Sequence, residues 1–191
     1  VRRSVAGYVG FMALKVIWQG LLAGTAGVVV MTAGEKIEQR LTGRPDSYVP
    51  ARVLERLAGL PEHTGQQSRA LNLAMHFGQG IALGVLRSVM AHVGLRGPLA
   101  SAKFTVVRLT NDQILENATG VGAPPQTWPR SELVVDVLHK TVYGFTTGLV
   151  ADLLARRDGP GPGQVHAAKV PGRHSDVGPV PRSQAFTGDR H

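Results

Sequence analysis

Between Lys15 and Glu35 the chain carries no charge for nineteen residues, Val16 to Gly34, and only Gln19, Thr25 and Thr32 are polar. No other feature constrains the fold as strongly. At about 1.5 Å rise per residue, a helix of that length approaches the roughly 30 Å hydrocarbon core of a bilayer. A core helix of a soluble bundle is usually amphipathic, whereas the stretch Leu21 to Met31 is apolar all round. Lys15 and Trp18 stand near one end, where a snorkelling ammonium and an indole favour the membrane interface. The pattern predicts that this helix continues through Lys36-Ile37-Glu38-Gln39-Arg40 into water and stops at Gly43 and Pro45. Arg2 and Arg3 before an apolar stretch are typical of a signal-peptide start. The length of the stretch and its charged continuation after Gly34 favour an uncleaved anchor.

Four further helices follow from periodicity and punctuation. After Gly43-Arg44-Pro45-Asp46, a short amphipathic helix has Asp46 or Ser47 as cap, Pro50 in its first turn, and Gly59 and Pro61 at its end. Val49, Val53, Leu54, Leu57 and Leu60 form its apolar stripe, with Arg52, Glu55 and Arg56 opposite. It either lies flat at the membrane surface or packs on the bundle. A second long helix is expected from Ser68 to Val93, with a charge-free window from Ala70 to Leu86 broken by Asn72, His76 and Gln79. A third, Leu99 to Asn117, is amphipathic: Phe104, Val106, Val107, Leu109, Ile114 and Leu115 are apolar, but Lys103, Arg108, Asn111, Asp112 and Glu116 are not. Hydropathy alone does not make it a span. A Pro-rich loop from Gly120 to Pro129 offers Trp128 as an interfacial anchor. A fourth long helix, Ser131 to Ala155, opens on a capping-box-like Ser131 and ends at Arg156-Arg157.

A pairing signal joins these helices. Gly20/Gly24, Gly80/Gly84 and Gly144/Gly148 are three pairs of glycines one turn apart, each within one of the three most apolar helices. In a soluble helix each glycine costs about 1 kcal/mol relative to alanine. In lipid, the same spacing lets two backbones approach closely. The expected fold class is therefore all-α: a four-helix transmembrane bundle over residues 1–155 with one short interfacial helix.

Residues 156–191 read differently. They contain Gly159-Pro160-Gly161-Pro162-Gly163 and then Pro171, Pro179 and Pro181, with few apolar residues, so a disordered basic tail is expected. The tail carries +3 of the chain's formal net charge of +8. Charge of this kind flanks the apolar segments and lacks the stripe and aromatic context of a nucleic-acid surface, so it points to anionic headgroups and away from nucleic acid. Cysteine is absent, which excludes disulfides, thiolate nucleophiles and thiolate metal sites. No Gly-rich phosphate loop, nucleophile elbow or paired-His zinc helix occurs.

Ionisable residues within spans are expensive and mark candidate sites. His76 shares a face with Asn72, Gly80 and Gly84. Asp136 and His139 form an Asp-x-x-His pair with Glu132 and Tyr143 a turn away, Asp112 and Glu116 share a face of the third helix, and Glu35 and Glu38 end the first. Three readings are open: a metal or haem centre, of which an acid–His pair on one helix face is half a di-metal motif; a proton or ion path through His76, His139, Asp112 and Glu116; and polar groups that satisfy one another between helices. His63, His92, His166, His174 and His191 are expected to be solvated or loop-borne.

Taken together, Gly24…Met31-Thr32-Ala33…Glu35 with Gly43-Arg44-Pro45, His76 with Gly80 and Gly84, Gly122-Ala123-Pro124-Pro125…Trp128, and Asp136…His139…Val142-Tyr143 resemble a family of uncharacterised small bacterial, especially actinobacterial, integral membrane proteins. The resemblance spans about Gly20 to Leu154 and implies a compact four-helix membrane bundle without a known activity. The family pattern has a second His beside the fourth-helix one and a more apolar third helix; here Lys140 and charged residues stand in those places. The expected function is a non-enzymatic, multi-pass protein of the plasma membrane (scaffold, partner subunit or small transporter), needing no cofactor. Its expected partners are the lipid bilayer and a second copy or another membrane protein. The alternative is a metal- or haem-binding redox bundle using His76, Asp136 and His139. By the positive-inside rule, Arg2-Arg3, Arg96 with Lys103, and Arg156-Arg157 would face the cytoplasm, with Arg40, Arg44, Arg52 and Arg56 arguing the other way.

Overall fold

Glycine and proline punctuate the helices. In a computed structural model, which describes residues 5–61, 68–170, 172 and 176–179, α1 runs Val5–Thr42 and stops at Gly43, whose φ of +73° suits glycine. The short α2 spans Val49–Leu57 with Pro50 in its first turn. Ser68 caps α3 (Arg69–Val93) by accepting the Leu71 N–H at 3.3 Å, and left-handed Gly94 ends it. Gly97 (φ +93°) and Pro98 open α4, Pro98–Ala118. A single 3-10 turn at Pro125–Thr127 precedes α5, Arg130–Arg156. Ser131 does not cap α5: Pro129 occupies the cap position without a side-chain bond, and Ser131 lies exposed in the first turn.

The long helices alternate in direction. Gly20 of α1 meets Gly84 and Val85 of α3 while Gly24 meets Gly80 and Ile81, so these two helices are antiparallel. Gly148 of α5 faces Ser101 of α4 and Gly144 faces Thr105, which sets the same relation there. Helix α5 packs against α1, α3 and α4. Alanines and glycines allow these close approaches: one core cluster is Ala23, Ala91, Ala151 and Ala155, and another is Val28, Met31, Phe104 and Tyr143. At the α1–α3 contact backbone meets backbone, since a Cβ on Gly24 would lie 2.7 Å from the carbonyl oxygens of both Gly80 and Ile81. Nearby, Ser88 donates across the same interface to the Val16 carbonyl at 2.9 Å.

Three expectations change. First, among the described residues only α1 is long and apolar enough by composition to cross a membrane, over Gly10–Thr42. Helices α3, α4 and α5 have the length but carry Arg87, Arg108, Asp112, Lys140 and Asp152. Second, of the two placements open to α2 it takes the packed one, on α3: Asn72 accepts the Ala51 N–H and donates to the Ser47 carbonyl, both at 3.1 Å, and Glu55, expected opposite the apolar stripe, is buried. Leu57 and Leu60 of that stripe are exposed.

Third, part of the tail is ordered against the bundle. Residues Pro162–Lys169 form α6, Gln164 donates to the Pro179 carbonyl at 2.8 Å, and Gly178 N–H bonds to Gly94 O at 3.0 Å beside a Leu95–Val177 bridge. Arg96, counted with Lys103 among the positive-inside charges, is buried and donates to the carbonyls of Ala91, Ala155 and Gly159, thereby capping α3 and α5. His92 is helix-borne and half-buried, with Nε2 3.3 Å from Asp158. Arg2, Arg3, His63, His174, His191 and residues 180–191, including the basic Arg182 and Arg190, lie outside the described residues.

Candidate functional site

A cavity of about 580 Å³ opens where the C-terminal end of α1, the N-terminal ends of α3 and α5, the C-terminal end of α4, and α2 converge. The antiparallel register brings all five sequence-predicted polar residues to its wall: His76 from α3, Asp112 and Glu116 from α4, and Asp136 and His139 from α5. Three glycine pairs set that register from below. Gly20/Gly24 and Gly80/Gly84 form the α1–α3 crossing, whereas Gly144/Gly148 pair with Ser101 and Thr105 of α4, with no other glycine pair opposite them.

Asp112 is the hub of the floor. Its Oδ1 accepts Gln79 Nε2 at 2.7 Å, and its Oδ2 lies 3.1 Å from Lys140 Nζ and 3.4 Å from Arg108 Nε. Lys140 also reaches Asp136 at 2.5 Å, so one ammonium bridges α4 and α5. The guanidinium of Arg108 lies 5.3 Å from the centre of the Tyr143 ring, a cation–π distance, and the Tyr143 hydroxyl donates to Gly80 O at 2.6 Å. Thr32 donates to Val28 O at 2.7 Å and stands 2.9 Å from His76 Nε2. Because a hydroxyl has one hydrogen, both contacts are hydrogen bonds only when His76 donates from Nε2, which leaves Nδ1 as an acceptor.

At the mouth, Arg44 grips Glu38 through Nε at 3.0 Å and Nη2 at 2.8 Å, and its Nη2 is 3.8 Å from Glu35. The hydrogen bond from Lys36 holds the Asp46 carboxyl below the usual carboxylate range. Trp128 also lines this rim, its indole N–H donating to Ala123 O at 2.9 Å.

A second polar cluster lies toward the other end. Arg87, 0% exposed, donates from Nη2 to Asp152 Oδ1 at 2.8 Å, and Asp152 Oδ2 accepts the Gly97 N–H at 2.7 Å. Beyond it, Asp158 accepts from Lys15, from Gln19 at 3.2 Å and from His92 at 3.3 Å, tying the ends of α1, α3 and α5. Burial pushes the Asp158 carboxyl up, but these three hydrogen bonds outweigh it and hold the group below the usual range.

Comparison with protein-family models, curated proteins and solved structures finds no match to this chain. Function therefore rests on the geometry. Among the described residues no three of His, Asp and Glu gather as a metal-ligand set; Asp136 is engaged by Lys140, Asp112 by Gln79 and Lys140, and His76 by Thr32. Sequence reasoning missed Arg108 and Lys140 as site residues, and the whole Arg87–Asp152 pair. A signal for them exists in the glycine register. Lys140, Gly144, Gly148 and Asp152 are each four residues apart, so charges on the line of the close-packing glycines point the same way inward.

Proposed function

We propose that this chain is an integral membrane protein whose four long helices all cross the plasma membrane, and that it is a small, non-enzymatic transporter or solute-binding subunit. One observation carries the membrane placement: the helices are polar inside and apolar outside. Arg87, Arg108, Asp112, Lys140 and Asp152 are buried, while Leu22 and Val29 of α1, Leu86 and Val89 of α3, Val106 and Ile114 of α4, and Phe145 and Leu149 of α5 face outward. A soluble monomer rarely exposes contiguous apolar surface beyond a few hundred Å². In a bilayer, by contrast, ionisable side chains face the bundle interior and pair with each other. Part of the low hydropathy of α4 then comes from Arg108 and Asp112, which are buried, while exposed Lys103 stands near the start of the helix and pairs with Asp176. At 21 residues α4 is about 31 Å long, matching the hydrocarbon thickness. The cavity at one end of the polar interior supports the solute-handling role.

The absence of cysteine makes the test simple. Single-cysteine variants Val106→Cys, Leu149→Cys and Arg52→Cys are treated with a water-soluble maleimide in native membranes and again in detergent. The reading requires Arg52→Cys to react in both, and the other two to react only once detergent admits water or after unfolding. Rapid labelling of Val106→Cys and Leu149→Cys in membranes, or release of the chain by alkaline carbonate, sinks it.

A further inference from the structure

The cavity holds hydrogen-bonding groups that the bundle does not use. Arg108 is 4% exposed, yet its Nε and Nη1 make no hydrogen bond. The Tyr143 ring offers its face to the guanidinium charge, and Asp112 sits 3.4 Å away without hydrogen-bond geometry, so in-plane N–H donors remain. Buried donors are almost always satisfied in native proteins, and those left over ask for an acceptor such as a carboxylate or phosphate. Acceptors are left over as well. His76 keeps Nδ1 once Nε2 is committed to Thr32, Gln79 keeps Oε1 once its amide donates to Asp112, and Glu116 stands one turn beyond Asp112 on the same wall.

Charge decides between ligand classes. The lining carries six carboxylates against five Lys and Arg side chains, so it is close to neutral. One negative charge is in excess, which a lone anion would enlarge; a lone cation would leave the Arg108 donors without an acceptor, whereas a zwitterion answers both. We propose that the cavity binds a small zwitterion, its carboxylate or phosphate on Arg108 and its ammonium toward Glu116, with His76 Nδ1 and Gln79 Oε1 as further acceptors. The volume of about 580 Å³ suits a molecule of this size. Two sources share that chemistry: a free amino-acid-like solute, and the headgroup of an ethanolamine phospholipid. The inference rests on the cavity rather than on membrane placement, which the labelling experiment reads separately.

Trp128 at the rim is a reporter once Trp18, exposed on α1, is replaced. Detergent-purified Trp18→Phe protein is titrated with glycine and with phosphoethanolamine, and in parallel with acetate, inorganic phosphate and ethylamine. At least one zwitterion should shift the Trp128 emission saturably, and each half-ligand should bind at least about tenfold more weakly. Arg108→Gln should weaken the zwitterion by about tenfold or more. Should that variant fail to fold by circular dichroism, Glu116→Gln, nearer the mouth, carries the test and should weaken it in the same direction. Nanodiscs separate the sources. If the headgroup is the occupant, protein in phosphatidylethanolamine discs no longer responds to added phosphoethanolamine, whereas protein in phosphatidylglycerol discs does. A free-solute site responds in both. Flat titrations with both zwitterions, equal binding of acetate or phosphate alone, or full affinity in a folded Arg108→Gln or Glu116→Gln variant overturns the proposal.

Discussion

The carboxylate of Asp152 accepts the Gly97 N–H at 2.7 Å while its other oxygen receives Arg87 at 2.8 Å. A side chain of α5 thus caps the N-terminus of α4, where Gly97 has no side chain to do so, and neutralises a guanidinium buried on α3. Asp152→Ala removes both functions. Breaking a buried pair by deleting one partner costs about 3–5 kcal/mol, and the unfolding midpoint in detergent should fall accordingly. Adding Arg87→Met should recover part of the loss, because no buried charge is then left unpaired. Strict additivity of the two changes in a double-mutant cycle would contradict the pairing.

The α1–α3 crossing predicts opposite signs for two glycine substitutions on one helix. Gly84→Ala places a methyl 2.5 Å from Gly24 Cα, which only backbone displacement relieves. Gly78→Ala, with nothing within 4 Å of its Cβ, gains helix propensity of up to about 1 kcal/mol. Thermal denaturation should show the first destabilised and the second unchanged or raised.

Much of this architecture was legible in the sequence, and for identifiable reasons. The helix expected to stop at Gly43 and those expected over Ser68 to Val93 and Leu99 to Asn117 differ from α1, α3 and α4 by at most about a residue at the expected ends, because the turn residues that bound them act locally. The five candidate residues, chosen as ionisable groups at helical spacing within the long helices, all line one cavity. The orientation of α4 was not legible. An amphipathic pattern says that Arg108 and Asp112 lie on one face with Val106 and Ile114 on another, but not which face meets the neighbours. The Arg87–Asp152 pair was hidden by its separation of 65 residues. The order around α6 was hidden because Gly- and Pro-rich composition reports the cost of ordering and not the docking contacts, here Gln164 to Pro179 and Gly178 to Gly94, that offset it.

Acid should loosen the end held by Asp158. Its carboxyl titrates lower in the folded protein than in the unfolded chain, so its contribution is complete above the ordinary value of 3.8 and disappears as pH falls from there through the lower folded value. Stability measured from pH 6 down to pH 2.5 should therefore drop more steeply for the parent protein than for Asp158→Asn. Parallel acid limbs would show that the Lys15, Gln19 and His92 contacts carry no net free energy.

Asn72 is the pin of α2. Asn72→Leu keeps the volume but deprives the buried Ala51 N–H of its partner and removes the exposed bond to the Ser47 carbonyl, at a cost of about 1–3 kcal/mol for the N–H left unsatisfied. Hydrogen exchange should speed up across Val49–Leu57 and remain slow in the centre of α3. Unchanged protection of α2 would mean that packing alone holds it.

The distribution of charge among the helices also fixes an order of manufacture. Arg87 emerges from the ribosome on α3, but Asp152, its partner, resides on α5, whereas Arg108 and Asp112 already face each other within α4. Placed in a bilayer, α3 holds an unmatched charge until the last long helix is synthesised. A nascent chain truncated before α5 should accordingly keep α1 inserted, and leave α3 at the mercy of quality-control proteases.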